Sequence, residues 1–178
     1  RKSSKKTVAA VTAVAAPKKV KVARYKLPDP KFLERSAFSN DYLLRELDFN
    51  ETSALTTIGN YCFYSCSMLQ TMQLPDRVST IGEFAYTFSG LTQVDIFAGI
   101  TSIGNAAFGG CYSLSQINVD ENNPSYATVD NVLFNKDITT VYCVPSTRTG
   151  TYTLPDTVVV TAPYSFYYDI LLSGVVLP

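Results

Sequence analysis

The chain has 178 residues, of which 46% are hydrophobic, and it contains neither Trp nor His; its 15 Lys/Arg residues balance 15 Asp/Glu residues. Because His is the commonest general base and the commonest metal ligand, its absence argues against an enzyme, and no cofactor or metal is expected. The sequence has no uninterrupted apolar run of about 18 residues, so no membrane-spanning helix is predicted.

The charges are distributed unevenly along the chain. Residues 1–26 carry nine Lys/Arg and no acid, a charge of +9, whereas residues 27–178 carry six Lys/Arg and fifteen Asp/Glu, a charge of −9. We therefore predict a basic extension over residues 1–30, disordered unless bound, before an acidic repeat domain over residues 31–178. The leading role for the extension is an electrostatic anchor on a polyanion or an acidic surface. The anchor residues would be Lys5, Lys6, Lys18, Lys19, Lys21, Arg24 and Lys26.

Two other interpretations of the extension stay open. It is a solvated tail, or it is a secretory signal, with a basic start and a short apolar stretch over Val8–Ala16. Lys18 and Lys19 follow that stretch at once, which argues against a signal. An RNA partner fits the charge but is not indicated, because Tyr25 is the only aromatic residue in this segment.

The rest of the chain repeats one phrase. In the clearest copy, Ile103 is followed by Gly, Phe, Cys and Leu at fixed positions, and Ile58, Ile81 and Ile103 stand 23 and 22 residues apart. A weaker copy starts at Leu33, and another starts at Thr161 after an insertion. Periods of about 20–29 residues are typical of leucine-rich repeats. We therefore predict a leucine-rich repeat solenoid of about five coils.

Each part of the phrase has a structural meaning. The segments Leu69–Leu74, Leu91–Ile96 and Leu114–Val119 alternate apolar and polar residues, as half-buried strands do. One such strand per coil would form a short parallel sheet on one face, with turns or short helical segments on the other. The Gly after each Ile suits a close backbone approach, and the aromatic and Cys positions supply core filler.

The cysteines are predicted to be buried thiols. Cys66 and Cys111 occupy the same position of the phrase two coils apart, a separation of roughly 10 Å if coils stack as adjacent strands do. That distance exceeds the reach of a disulfide. The C-x3-C spacing of Cys62 and Cys66, with Cys111 and Cys143 alone, does not match a zinc site.

The outward positions of the predicted strands form two polar columns. Such a sheet commonly lines a concave binding face in repeat proteins, so these positions are the candidate partner-binding residues. They are Glu46, Asp48, Thr71, Gln73, Gln93, Asp95, Gln116 and Asn118. A polar or basic protein would be the partner. The alternative is that strand positions facing water are polar for solubility alone.

Two further features fall outside the plain phrase. Val129–Phe134 and Ile138–Pro145 are predicted to form a β-hairpin within an insertion over residues 120–153, either covering a sheet edge or presenting a contact loop. Tyr164, Tyr167 and Tyr168 add aromatic side chains beyond the core position, for packing or for a partner.

The complete phrase resembles the BspA-like leucine-rich repeat family over residues 32–178. Val78–Gly82 and Gly104–Cys111 match its pattern closely, and Asn122–Tyr126 and Val129–Asp137 are similar to the hairpin often found between such repeats. The end copies depart from the pattern. Glu34 stands in the Gly position of the first, and Thr161, Ala162 and Asp169 stand in the Ile, Gly and Cys positions of the last.

These observations favour a non-catalytic protein–protein interaction module. The leading hypothesis is a solenoid scaffold whose Lys-rich extension anchors it in a larger intracellular assembly. The family resemblance implies a rival, a cell-surface or secreted adhesin that binds host or matrix proteins. An enzyme is the third and least supported class.

Overall fold

The computed structural model of the protein describes residues 23–26, 31–49 and 53–178. Over these ranges the chain forms fourteen short strands joined by turns, and no helix. The strands are β1 (Ala23–Lys26), β2 (Phe32–Leu33), β3 (Leu44–Asp48), β4 (Thr57–Ile58), β5 (Thr80–Ile81), β6 (Gln93–Ile96), β7 (Ser102–Ile103), β8 (Gln116–Val119), β9 (Tyr126–Val129), β10 (Val132–Asn135), β11 (Thr140–Cys143), β12 (Gly150–Thr153), β13 (Val160–Thr161) and β14 (Leu172–Val176).

The described residues wind into six coils, where the sequence predicts about five. We number them by one residue each at the start of the coil: Leu33, Ile58, Ile81, Ile103, Val141 and Thr161 for coils 1 to 6. Coils 1 to 4 are joined by the parallel sheet β2-β4-β5-β7, whose register places these residues side by side. In this ladder the N–H of Gly82 donates to the carbonyl of Ile58 at 2.8 Å. A Cβ on Gly82 would lie 2.6 Å from the Asn60 backbone nitrogen, so only glycine permits this approach.

Coil 5 starts at Val141, within residues 120–153, which were predicted to be an insertion. Strand β11 pairs in parallel with β13, and β12 pairs in parallel with β14, as strands of consecutive coils do. The N–H of Val144 donates to the carbonyl of Ser165 at 2.9 Å, which repeats the bond from Phe63 to Ala85 at 2.7 Å in coils 2 and 3. Val144 follows the start of its coil by three residues and Phe63 by five, so the turn of coil 5 is shortened.

The predicted hairpin is present. Strands β10 and β11 pair antiparallel, and β9 pairs antiparallel with β10 through a turn at Asp130 and Asn131. Both turn residues have positive φ, 51° and 63°, as a tight hairpin turn requires. The hydroxyl of Thr128 donates to the carbonyl of Ile117 at 3.0 Å, so β9 lies against β8.

The side chain of Asn123 links this hairpin to the solenoid through hydrogen bonds. Its fully buried side chain donates to the carbonyls of Phe97 (2.7 Å) and Ile100 (2.9 Å). Its side-chain oxygen accepts from the backbone N–H groups of Ser125 and Tyr126, both at 2.9 Å. All the hydrogen-bonding capacity of this buried amide is therefore used, which is the condition for burying it without a penalty.

The prediction of short helical segments is wrong for the described residues, where turns connect the strands. Five of the six turn segments contain two left-handed residues four positions apart, such as Tyr61 (φ 57°) and Ser65 (φ 59°). An α-helix needs consecutive residues at negative φ, so this alternation excludes one.

A second set of strands carries the predicted outward columns. Two of the predicted strands are confirmed as β6 and β8, which pair in parallel and in register. The segment 69–74 is not a strand. Its side chains still alternate as predicted, with Leu69 and Met72 buried and Thr71 and Gln73 exposed.

The core is built from stacked side chains, one layer per coil. The rings of Phe38, Phe63, Tyr86 and Phe108 follow one another at centroid distances of 5.5, 4.8 and 5.9 Å. A smaller core, with Phe134, Val144 and Leu154 at its centre, lies under the hairpin and the last two coils. The stacked layers confirm that the aromatic position of the phrase fills the space between coils.

All four cysteines are buried and free, as predicted. The thiol of Cys66 donates to the carbonyl of Phe38, and that of Cys111 donates to the carbonyl of Tyr86, both at 3.1 Å. The Cys position thus links coil 2 to coil 1 and coil 4 to coil 3. Burial raises the pKa of Cys66 to about 12 and that of Cys111 to about 11, so neither is a thiolate at neutral pH.

Strand β1 comes from the segment that the sequence assigns to the basic extension. It pairs in parallel with β3, so residues 23–26 join the solenoid as an additional edge strand. The anchor candidates Lys5, Lys6, Lys18, Lys19 and Lys21 lie outside the described residues.

Candidate functional site

The predicted binding columns lie on the outward side of the strands. Six of the eight candidate residues are exposed, and Asp95 and Asn118 are half-buried. The exposed ones are Glu46, Asp48, Thr71, Gln73, Gln93 and Gln116. We call these eight residues the strand face. The structure therefore brings them to one surface, in the order that the repeat predicts.

Hydrogen bonds between side chains fix the central part of the strand face. The amide of Gln93 donates to both oxygens of Asp95 at 2.8 and 2.9 Å, and the amide of Asn118 donates to the same carboxylate at 2.7 Å. The amide of Gln116 donates to the side-chain oxygen of Asn118 at 2.8 Å. The Asp95 carboxylate is thus held in a fixed orientation by neutral amide donors.

A cleft of about 410 Å³ lies at one end of the strand face. Apolar side chains and two carboxylates form its wall, a combination that suits the aliphatic stem and charged end of a Lys or Arg side chain. The lining residues are Leu47, Asp48, Phe49, Gln73, Leu74, Pro75 and Asp76.

Strands β1 and β12 lengthen the strand face beyond the predicted columns. The register of β1 places Arg24 beside Glu46 and Lys26 beside Asp48, so two predicted anchor residues take positions next to the acidic columns. On β12, Thr151 and Thr153 are exposed, and their register partners are Gly174 and Val176 of β14. Sequence reasoning missed the two threonines because it did not recognise coil 5.

A second candidate surface is formed by the turn segments of coils 2, 3, 4 and 6. Eight aromatic side chains there contact one another in a continuous cluster, which we call the aromatic face. They are Tyr61, Tyr64, Phe84, Phe88, Tyr112, Tyr164, Tyr167 and Tyr168. Only the three in coil 6 were singled out from the sequence, although Tyr61, Tyr64, Phe84 and Phe88 stand in matching positions of the repeat.

The shortened turn of coil 5 lets coil 6 rest directly on coil 4 at this surface. The N–H of Gly110 donates to the carbonyl of Tyr167 at 3.1 Å. A Cβ on Gly109 would lie 3.1 Å from the Tyr167 ring, and one on Gly110 would lie 2.5 Å from the Phe88 ring. These two glycines therefore allow Tyr168 to meet Phe88 edge-on, with ring centroids 4.9 Å apart.

Several rings of the aromatic face are carried by left-handed backbone. The φ angles are 53° at Phe84, 59° at Phe88, 64° at Tyr164 and 61° at Tyr168. Bulky residues rarely adopt this conformation, which costs on the order of 1–3 kcal/mol and persists only where the surroundings hold it. The coil geometry therefore fixes the direction of these side chains.

Asp169 stands in the Cys position of coil 6. Both of its carboxylate oxygens are buried, and neither has a hydrogen bond of ordinary geometry. Burial raises the pKa of Asp169 to about 7, an effect that the nearby Ser146 side chain opposes. Below that pH the side chain is a neutral acid, the only form that could donate a proton as the thiols of Cys66 and Cys111 do.

Within residues 31–49 and 53–178, no three His, Cys, Asp or Glu side chains are grouped so that they could hold a metal ion. The described part of the chain also contains no helix long and apolar enough to cross a membrane.

Comparison with known families identifies the repeat. The family described as BspA type Leucine rich repeat region matches residues 31–173 in six copies, so the chain belongs to that family. Its members are leucine-rich repeat proteins, which in general are non-catalytic binding modules. A search of curated proteins gave no significant match.

Solved structures share the fold at low sequence identity. A leucine-rich repeat protein from Eubacterium ventriosum ATCC 27560 is 22% identical with a TM-score of 0.76, covering 88% of this chain and 44% of that one. The pneumococcal vaccine antigen PcpA is 22% identical with a TM-score of 0.75, covering 86% and 44%. A leucine rich cell surface protein from Faecalibacterium prausnitzii A2-165 is 25% identical with a TM-score of 0.52, covering 76% and 49%. The chain thus spans less than half the length of each of these proteins.

Proposed function

We propose that the protein is a non-catalytic protein-interaction scaffold whose strand face binds a basic segment of a partner. The observation that carries the proposal is the hydrogen-bonded row from Gln93 through Asp95 to Asn118. It presents a fixed carboxylate that no cation in the row neutralises, two coils away from Glu46 and Asp48. A rigid surface of this kind loses little conformational entropy on binding, and its charge selects the partner.

A peptide selection tests this proposal. A random peptide library displayed on phage is selected against the wild-type chain, and the peptides obtained are measured against a variant with Asp48→Lys, Gln73→Lys and Asp95→Lys. We expect peptides enriched in Lys and Arg whose affinity falls at least tenfold in the variant. A control with Asp137→Lys, Thr149→Lys and Asp156→Lys changes the net charge by the same amount at exposed positions elsewhere. Equal losses in the two variants would rule out the strand face as the site.

The basic extension supports a second part of the proposal, an electrostatic anchor. Truncation before Ala23 removes seven of the nine Lys/Arg residues of the extension and keeps β1, which pairs with β3. We expect the truncated chain to elute from a polyglutamate column at a much lower salt concentration than the full chain. Identical elution would remove the anchor from the proposal and leave the strand face untouched.

The place of action is a separate question with two candidates. An anchored scaffold in an intracellular assembly follows from the charge asymmetry, whereas a surface adhesin is supported by the neighbour named as a leucine rich cell surface protein. Digestion of intact cells with an impermeant protease separates them. Loss of the full-length chain supports the adhesin, and protection supports the intracellular scaffold.

A further inference from the structure

The aromatic face is not used by the strand-face proposal, and three of its rings are open to solvent. Tyr112, Tyr164 and Tyr168 are 53%, 53% and 45% exposed. Each of them also contacts another ring of the cluster, Tyr112 at 5.9 Å from Phe88 and Tyr164 at 5.2 Å from Phe84. The exposed rings therefore rest on a layer of half-buried rings, and a large part of each remains free for contact.

This surface is pre-organised. The left-handed backbone at Phe84, Phe88, Tyr164 and Tyr168 and the close approach of coil 6 at Gly110 hold the rings in place. Tyr side chains supply contact area at a low entropic cost, because they have only two rotatable angles, and each keeps a polar hydroxyl. Large, rigid and amphipathic side chains of this kind dominate binding energy in protein interfaces.

The charge around the aromatic face is negative. The turn segments 58–66, 81–89, 103–111 and 161–169 contain no Lys or Arg, and their one exposed charge is Glu83, because both carboxylate oxygens of Asp169 are buried. Residues 23–26, 31–49 and 53–178 together carry eight Lys/Arg and thirteen Asp/Glu, a net charge of −5. Aromatic faces attract cations as well, because the ring quadrupole is negative above and below its plane. The aromatic rings and the negative charge of the domain therefore both favour a cationic ligand.

The side chain of Arg35 contacts a ring at the edge of the aromatic face. The guanidinium carbon of Arg35 lies 5.1 Å from the centroid of the Tyr61 ring, and Phe84 stacks on Tyr61 at 5.0 Å. Arg35 comes from coil 1, so the contact joins neighbouring coils. It shows that a guanidinium group fits against the rings of this cluster.

We propose that the aromatic face binds an extended, arginine-bearing segment of a partner protein, with Tyr112, Tyr164 and Tyr168 as the principal contacts. The guanidinium groups stack on the exposed rings, and apolar side chains between them lie against the half-buried rings. This binding surface is separate from the strand face, and the proposal does not depend on that one. Single-stranded nucleic acid also stacks on aromatic rings, but the negative charge of the domain disfavours a polyanion.

Calorimetric titration with two synthetic peptides tests the proposal. One peptide alternates Arg with Leu and Ser, and the other has citrulline in place of each Arg, which keeps the shape and removes the charge. The variant carries Tyr112→Ser and Tyr168→Ser, and Tyr112→Ser alone serves where the double variant fails to fold. Tyr42→Ser is the control, because Tyr42 is 57% exposed and lies outside the aromatic face. All titrations are repeated in the Asp48→Lys, Gln73→Lys, Asp95→Lys background, which removes attraction by the strand face.

We expect saturable binding of the Arg peptide in that background, a fall in affinity of about tenfold in the double variant, and no change in the Tyr42→Ser control. The citrulline peptide should bind at least tenfold more weakly. No binding of the Arg peptide, an equal loss in the control, or equal binding of the citrulline peptide overturns the proposal. So does tighter binding of single-stranded oligothymidylate that the same tyrosine substitutions abolish. None of these results bears on the strand face, which is tested separately.

Discussion

The backbone N–H of Gly110 donates a hydrogen bond to the carbonyl oxygen of Tyr167, at 3.1 Å. The two residues belong to coils 4 and 6, so this bond passes over the shortened turn of coil 5. It brings the tyrosines of coil 6 onto Phe88 of coil 3 and thereby assembles the aromatic face. A single shortened turn thus creates a surface that regular stacking would not produce.

Substitution of Gly110 should destabilise the protein strongly. Gly110→Ala places a Cβ 2.5 Å from the Phe88 ring at a φ of 63°, so we expect a loss of about 3 kcal/mol in the free energy of unfolding. Gly150→Ala is the matched control, because Gly150 has a φ of 73° with nothing within 4 Å of the added Cβ. It should lose only about 1 kcal/mol, the cost of the left-handed conformation. Urea unfolding followed by circular dichroism measures both, and equal losses would show that the contact with Phe88 is unimportant.

Asp169 should make stability depend on pH. The pKa of Asp169 is raised to about 7 in the folded protein, whereas an unfolded Asp titrates near 3.9. The folded state therefore binds more protons between these values, and the free energy of unfolding should fall as the pH rises from about 4 to about 7. Allowing for partial exposure, the fall should be about 2 kcal/mol.

The matched variants isolate this effect. Asp169→Asn should flatten the dependence and stabilise the protein at pH 8, whereas Asp156→Asn, at an exposed position in coil 5, should leave the dependence unchanged. Urea titrations at several pH values give the comparison. If the free energy of unfolding of Asp169→Asn varies with pH as it does in the wild type, other groups cause the pH dependence.

The stability of the protein should depend on Asn123, which holds the hairpin, and not on the neighbouring Asn122. Asn123→Ala removes four hydrogen bonds made by a fully buried side chain and leaves the carbonyls of Phe97 and Ile100 without this donor. We expect a loss of about 3 kcal/mol. Asn122→Ala, at an exposed position, should lose less than about 0.5 kcal/mol. Thermal unfolding of the two variants measures the difference, and similar melting temperatures would contradict this account of the hairpin.

The thiols should be unreactive in the folded protein. Cys62, Cys66, Cys111 and Cys143 are all buried, and burial raises the pKa of each thiol. We expect negligible reaction with Ellman's reagent at pH 8 and complete reaction of all four in urea. Rapid labelling of the native chain would mean that a coil opens readily, and mass spectrometry of the labelled peptides would identify it.

The parts of the fold that follow the regular phrase could be predicted from the sequence. Ile58, Ile81 and Ile103 fixed the period, and the alternation after Leu91 and Leu114 located the strands that became β6 and β8. These positions are readable because each coil must bury the same side chains in the same order. The outward positions of the strand face followed directly from them.

The parts that were missed depend on contacts between coils. Coil 5 has Tyr142 in the Gly position and Val144 in the aromatic position of the phrase, so its start at Val141 became clear from its hydrogen bonds to coil 6. The left-handed backbone at Phe84 has no local signal either, since a Phe normally avoids it. The aromatic face depends on the shortened turn of coil 5 and on the left-handed backbone. Neither could be predicted, so the tyrosines of coil 6 were singled out without their partners in coil 3.

The shortened turn of coil 5 also affects the geometry of the whole stack of coils. At the strand edge, β12 stands as a separate layer beside β14, whereas at the turn tips Gly110 of coil 4 already touches Tyr167 of coil 6. One side of the stack is therefore a layer thicker than the other, by roughly 5 Å, the spacing of adjacent strands. From this difference in thickness we expect the solenoid axis to bend near residue 140, toward the turn tips.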